Sequence, residues 1–389
     1  MVIPLVLAAL TFGVATPVEV GAVEPETGVP AERVAKLARG VNLSHWYWSP
    51  VNGAKGFANT AWFTKDDAAA LKTLGITHVR LPIDPAQFFT NKLGGRLHPS
   101  NIKKLDATLD MLKDAGLAVV VDLHALGTTV EAEYEKKLKD PTQKYTQDRE
   151  KAFVKDWETL AEHLSSRSPD SLFLELLNEP IFDEDAKRWE AIQLKLANAV
   201  RAKAPSHTLI LTGNDWGSIH GLKLITPIAD KNVIYTFHFY EPYTFTHQSA
   251  TWGSANWKFL KDIPYPCDAE IIKAVLPGIK DDSARGEAKW YGGQNWNAAK
   301  IEDRVKAAAE WSKANATVVW CGEFGVYRGA PEKYRTAWLA DFRAALDKNK
   351  IGWCMWDWGG TFGMINGEPG KREIDAGTAK ALGFTTAPK

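Results

Sequence analysis

The chain has 389 residues, 45 % of them hydrophobic and 24 % charged, and its 47 Lys and Arg balance 47 Asp and Glu to a net charge of +0. That length suits one globular domain of barrel size with a large core, and the balance argues against a partner held by charge, whether nucleic acid or an anionic membrane. Its 16 Trp equal its 16 Phe and exceed its 10 Tyr, and many sit in loop-like stretches, where flat aromatics suit an uncharged ligand with flat apolar faces.

In chain order, residues 1–22 come first, with an apolar run from Val2 to Ala15 and small residues near two cleavage points, after Ala15 or Ala22. They resemble a secretory signal peptide and imply a secreted or periplasmic protein, although no Lys or Arg precedes Arg33 to supply the usual basic start. Residues 23–36 read as a linker, rich in Val, Gly, Glu and Pro without a period, and 37–389 as a single catalytic domain. No later apolar run is long enough to span a bilayer.

From there, short β-branched or apolar runs alternate with helical stretches. The runs are Gly40–Ser44, Thr77–Ile83, Leu117–His124, Ser171–Pro180, Thr208–Gly213, Val233–Tyr240, Thr317–Phe324 and Ile351–Trp358. The helical stretches are Lys65–Leu74, Pro99–Ala115, Arg149–Ser165, Asp185–Lys203, a short piece at Gly221–Ile228, then Ala298–Asn315, Pro331–Lys348 and Asp375–Leu382. Such alternation predicts βαβ units around a parallel sheet. Eight of them predict an α/β fold, a closed (β/α)₈ TIM barrel with its chemistry at the carboxyl ends of the strands. An open doubly wound sheet is the alternative, and no Gly-rich phosphate fingerprint follows any strand to support it. The connection Glu241–Asn297, after strand six, contains Tyr243, Phe245, Trp252, Trp257, Trp290 and Trp296. It reads as a long loop forming a wall or lid over the barrel mouth. Cys267, Cys321 and Cys354 match neither a disulfide framework nor a zinc spacing.

The polar residues of these strands gather at one rim. Arg80 lies in strand two, His124 ends strand three, Asn178 and Glu179 end strand four, His238 and Tyr240 end strand six, Glu323 ends strand seven and Trp356 lies in strand eight. Reactive groups must converge, whereas stabilising ones can lie anywhere. Two carboxylates facing each other across the mouth, Glu179 and Glu323, suit hydrolysis of a glycosidic bond, one protonated and one ionised. Arg80 near Glu323 would lower that carboxylate's pKa, apolar neighbours would raise that of Glu179, and Tyr240 would donate to the nucleophile. A separation of about 5–5.5 Å would mean retention and about 6.5–9.5 Å inversion, a distance that the sequence leaves open. Glu175 reads as a structural acid, a competitor for Arg80. After strands one and five, Trp46, Trp48 and Trp216 are candidates for sugar stacking, and His247 and Gln248 for reaching the cleft.

Taken together, Val-Arg-Leu-Pro around Arg80, Asp-Leu-His at His124, Leu-Asn-Glu-Pro at Glu179, His-Phe-Tyr at His238, Gly-Glu-Phe-Gly at Glu323 and the tryptophan Trp356 resemble glycoside hydrolase family 5, the cellulase family. The match runs from Gly40 to Trp358. The resemblance implies Glu179 as acid/base, Glu323 as nucleophile, Asn178 as a ligand of the sugar 2-hydroxyl, Trp356 as a stacking platform and Arg80, His124, His238 and Tyr240 as the supporting shell. Retention likewise rests on the family. Two features depart from it: His124 is followed by Ala-Leu-Gly rather than a Pro-Gly turn, and the strand-six connection is unusually long.

The expected activity is a monomeric endo-β-glucanase acting on β-1,4-glucan as polysaccharide or oligosaccharide. A β-1,3- or mixed-linkage glucanase, a mannanase or an exo-β-glucosidase stand as alternatives within the class. An inactive carbohydrate-binding barrel is a second class. A metal-dependent barrel hydrolase using His124, His238 and Asp122 is a third, weakened by the missing His-x-His on strand one. No cofactor or metal is otherwise indicated.

Overall fold

The computed structural model describes residues 28–50, 53–90, 94–125, 147–182 and 186–385. The proposed signal segment 1–22 and most of the charged connection after strand three lie outside them.

Eight parallel strands close into a barrel in sequence order. They are β1 (Arg39–Asn42), β2 (His78–Ile83), β3 (Ala118–Leu123), β4 (Leu172–Glu175), β5 (Thr208–Thr212), β6 (Val233–Phe239), β7 (Val318–Phe324) and β8 (Gly352–Met355). β1 pairs with both β2 and β8, which completes the ring. Helices run between the strands, and their ends carry ordinary punctuation. Thr64 and Asp67 form a reciprocal capping box at the start of Lys65–Leu74, and Gly75 ends that helix at φ 88°. Pro99 opens Pro99–Asp114.

Side-chain alternation along the strands divides the core in two. Residues such as Val79, Leu81, Val119, Val121, Leu209 and Leu211 face the helices and join the large outer cluster. Ala118, Val120, Phe173, Ile210, Ile234, Trp320 and Cys354 fill the barrel's interior floor, where Val29 and Leu37 close it from below. The segment 31–36, read as the end of a linker, is a helix in the structure, Ala31–Lys36. Its Arg33 is 9 % exposed and bonds Asp170, the Ser206 carbonyl and Thr208, so ordered structure begins before residue 37.

Two expectations need correction. β4 ends at Glu175, so Leu176 to Glu179 continue past the ladder, and Asn178 and Glu179 sit on the following loop rather than in the strand. The connection 241–297 is not a plain loop. It contains a short helix at Tyr243–Thr246, three 3₁₀ turns and the helix Asp282–Gly293. It buries Phe245, Leu260, Ile263, Tyr265, Ile272 and Tyr291. Gln248 is part of that small core, bonding the Phe245 and Ile263 carbonyls and the Ile263 N–H, and does not reach the cleft. A two-stranded sheet of Ile365–Asn366 against Glu373–Ile374, unforeseen in the sequence, follows β8. The three cysteines are buried free thiols.

Candidate active site

Above the apolar floor the inward-facing positions turn polar, and Arg80 of β2 is their centre. It is fully buried. Its Nε and Nη2 grip Glu175 at 2.7 and 3.0 Å, Nη1 reaches Glu323 at 2.6 Å and Asn42 at 3.1 Å, and Nη2 reaches Asn178 at 2.8 Å and Asp122 at 2.9 Å. The planar fork of a guanidinium, always charged, is suited to hold several acceptors at once. The competition expected between Glu175 and Glu323 is absent: one arginine serves both. Burial pushes Asp122 up to about 7 and raises Glu175, against the opposing pull of Arg80.

Glu323 stands at the mouth because of an irregularity in β7. Val319 and Cys321 face the helices, so strict alternation would send Glu323 outward too. Between β6 and β7 the register slips, with Phe237 opposite Cys321 but His238 opposite Glu323. Gly322 is the extra residue, and this β-bulge turns Glu323 inward. There Oε1 accepts from Arg80 and Oε2 from the Tyr240 hydroxyl at 2.8 Å. Burial and the neighbouring Glu323 raise the Tyr240 pKa, which keeps it a donor.

Across the mouth, Glu179 Oε1 lies 2.7 Å from His238 Nδ1, and the same nitrogen is 3.7 Å from Glu323 Oε2. One atom each of Glu179, His238 and Glu323 fall within 4.8 Å of one another. The side chain of Glu179 is 24 % exposed and that of Glu323 6 %, so Glu179 is the carboxyl nearer to solvent. His238 is lowered to about 4, by burial first. Asn178 accepts from Arg80 through its oxygen, and its NH₂ group remains a donor.

His124 Nδ1 is 2.6 Å from Asp122 Oδ2, and burial lowers its pKa to about 3. Its ring stacks on Trp356 at 5.7 Å and 19° and touches Trp48 at 4.6 Å. Both tryptophans are half-buried. The trio His124, His238 and Asp122, weighed as metal ligands, is divided between separate pairings: Asp122 with Arg80 and His124, His238 with Glu179.

The remaining stacking candidates divide. Trp46 is 2 % exposed, bonds the Asn59 carbonyl and packs on Phe63 and Trp62, so it belongs to the core rather than the cleft. Trp216 is 53 % exposed, and its N–H bonds the carbonyl of Pro180, next to Glu179. His247 does not reach the cleft either; it is buried against Tyr240, Tyr243, Trp252, Trp257 and Phe362. In the 241–297 segment Tyr243, Trp252, Phe259, Ile271 and Trp290 are exposed. Sequence reasoning missed Asn42, which accepts from Arg80 and donates to the Gly322 carbonyl. Its signal was available: a polar side chain near the end of the first apolar strand. It also missed buried Asp357, bonded to Ser44 and the Gly360 N–H, because Ser44 and Asp357 are far apart in the chain.

A closed (β/α)₈ barrel with two glutamates converging at the carboxyl rim, one held by an arginine and a tyrosine, is the arrangement of a glycoside hydrolase. The chain belongs to the cellulase family, family 5 of the glycosyl hydrolases, whose family model matches residues 40–361. It is 28 % identical to endoglucanase C of Acetivibrio thermocellus over 82 % of this chain and 90 % of that protein. It is 29 % identical to endoglucanase 3 of Fibrobacter succinogenes over 89 % of this chain and 52 % of that protein. Among solved structures, an endoglucanase from Thermotoga maritima superposes with a TM-score of 0.71 at 24 % identity, covering 90 % of this chain and 98 % of that one.

Proposed function

We propose that this glycoside hydrolase cleaves internal bonds of β-1,4-linked glucan with retention of configuration. The observation that carries the retaining mechanism is the close approach of Glu179 and Glu323, one carboxylate oxygen of each lying within 4.8 Å of the other. Retaining glycosidases hold these groups roughly 5–5.5 Å apart, whereas inverting ones leave roughly 6.5–9.5 Å for a water between them. In the first step Glu323 attacks the anomeric carbon while Glu179 passes its proton to the departing glycosidic oxygen. In the second, Glu179 takes a proton from the water that displaces Glu323. Asn178 presents its NH₂ group to the sugar 2-hydroxyl, and Trp356 underlies the ring in the site next to the scissile bond. The names of the two curated relatives, both endoglucanases, support the substrate and the internal mode of cleavage. Trp216, whose backbone N–H bonds the Pro180 carbonyl, and Tyr243 are both exposed, and they suit a chain that extends past the cleavage point.

Glu323→Gln is expected to lower kcat by at least about 10⁴-fold while oligosaccharide binding persists; unchanged turnover would remove Glu323 from its role. Proton NMR of the first anomer released from cellopentaose would read retention as β and inversion as α. Products from carboxymethyl cellulose, laminarin and mannan would assign the polymer, and reducing ends released without viscosity loss would count against internal cleavage. We further infer that the protein is exported, on the character of residues 1–22, and that it acts as a monomer; the mass of the secreted mature chain tests export and light scattering the monomer.

A further inference from the structure

Delivery of a proton by Glu179 depends on which nitrogen of His238 holds the ring proton. A neutral imidazole has one donor and one acceptor nitrogen, and Nδ1 lies 2.7 Å from Glu179 Oε1. With the proton on Nδ1 the ring donates to Oε1, and the acidic proton of Glu179 is left on Oε2, facing substrate. With the proton on Nε2 the ring accepts instead, and Glu179 points its proton at the histidine. The partners of the two ring nitrogens together therefore decide how the acid is oriented.

The charged and titratable groups around the ring are Glu179 and Glu175 from the β4 segment, Glu323 from β7, Arg80 from β2 and His124 from β3. The two carboxylates in contact with the ring, Glu179 and Glu323, are both on its Nδ1 side. On the other side, Nε2 is buried and makes no hydrogen bond among the described residues, and neither does Oγ1 of Thr236, the preceding inward position of β6. Thr236 is fully buried and His238 is 4 % exposed. Both atoms lie close to Gly322: the point that a Cβ would occupy there is 2.6 Å from Thr236 Oγ1, 3.1 Å from Trp320 Cζ3 and 3.2 Å from His238 Nε2. Buried polar groups are rarely left unpaired, and two this near each other are within reach of a single bridging water.

We propose that Thr236 is a positioning residue for proton transfer: the carboxylates of Glu179 and Glu323 draw the ring proton to Nδ1 of His238, and the Thr236 hydroxyl, through one buried water, supplies the hydrogen-bond donor that the bare Nε2 then needs, which holds the tautomer that turns the proton of Glu179 toward substrate. The inference rests on the assignment of Glu179 as proton donor. It also gives Gly322 a second role, since any side chain there would fill the space between the two groups.

Nitrogen-15 NMR of histidine-labelled enzyme reads the tautomer directly. The wild type is expected to show His238 protonated at Nδ1 and bare at Nε2, Thr236→Ser to match it, and Thr236→Val to show mixed tautomers. Thr236→Val is further expected to lose about tenfold in kcat on cellotetraose with little change in KM, and to shift the basic limb of its pH–rate profile. The loss should be much smaller on dinitrophenyl cellobioside, whose leaving group needs no proton. A wild-type His238 protonated at Nε2 overturns the proposal even if the valine variant fails to fold, as does a folded Thr236→Val with unaltered tautomer and pH profile. If Glu179→Ala lowers kcat/KM for both substrates alike, the role of Glu179 as proton donor fails instead, which the tautomer measurement distinguishes.

Discussion

At the scale of single residues, buried ionisable groups at the mouth behave according to what surrounds them. Arg80 works because five side chains from β1, β2's neighbour β3, the β4 segment and β7 converge on it; a lysine has one point charge and cannot reproduce that fork. His247 is the opposite case. It is 4 % exposed in an aromatic box and its pKa is lowered from 6.5 to about 3 by burial alone. A depressed histidine is neutral in the folded protein, while in the unfolded chain it takes up a proton as pH falls below about 6.5. The unfolded state then binds more protons, so this residue's contribution to stability is present above that pH and is lost as pH falls toward about 3. Replacement by glutamine removes the titration. The stability of His247→Gln relative to wild type is therefore expected to improve by about 2–3 kcal/mol between pH 7 and pH 4.5, read from urea unfolding midpoints at the two pH values. A constant difference across that range would show that His247 already holds its proton in the fold.

At the scale of elements, the bulge at Gly322 is what brings Glu323 to the mouth, since it reverses the facing of the two residues after it: Glu323 turns inward and Phe324 packs outward on Phe342 and Trp353. Gly322→Ala would bring a methyl group within 2.6 Å of Thr236 Oγ1, closer than atoms tolerate, and β7 or β6 must shift. The expected outcome is a loss of about 1–3 kcal/mol of stability together with a fall in kcat, because Glu323 moves with its strand; a variant with wild-type kcat would mean that the bulge absorbs the methyl group. No such feature is legible in Trp-Cys-Gly-Glu-Phe-Gly, although the identity of Glu323 is. The eight strands and most helices could be read because apolar runs and helix punctuation are local. The rim residues could be read because a polar group at the end of an apolar strand is conspicuous in the sequence. What escaped depends on distance in the chain. The core fate of Trp46 is set by Trp62 and Phe63, the floor-closing helix at Ala31–Lys36 by Asp170 and Thr208, and the fold of the 241–297 segment by Gln248 clasping Ile263.

At the scale of the whole molecule, the barrel separates its two tasks along its axis. The charged groups that Arg80 gathers lie toward the carboxyl rim, and the floor beneath is mainly apolar, from Val120 and Phe173 down to Val29 and Leu37, with the buried imidazole of His78 packed on Trp320. Stability invested in the floor leaves the rim free to hold a charge cluster with three carboxylates around one arginine, which would be costly without a rigid support. If the two ends are independent, a hole in the floor should weaken the fold and spare the chemistry. Ile210 is the place to test this, because it is fully buried in the floor cluster on β5, a strand that carries neither glutamate. Ile210→Ala removes buried methyl and methylene groups and leaves a cavity, an expected cost of about 2–5 kcal/mol. Denaturant midpoints should fall accordingly, while kcat/KM measured at 25 °C, well inside the folded range, should stay within about twofold of wild type. A loss of kcat/KM as large as that from a rim substitution would show that the floor also sets the geometry of Glu179 and Glu323, and that the barrel transmits strain from one end to the other.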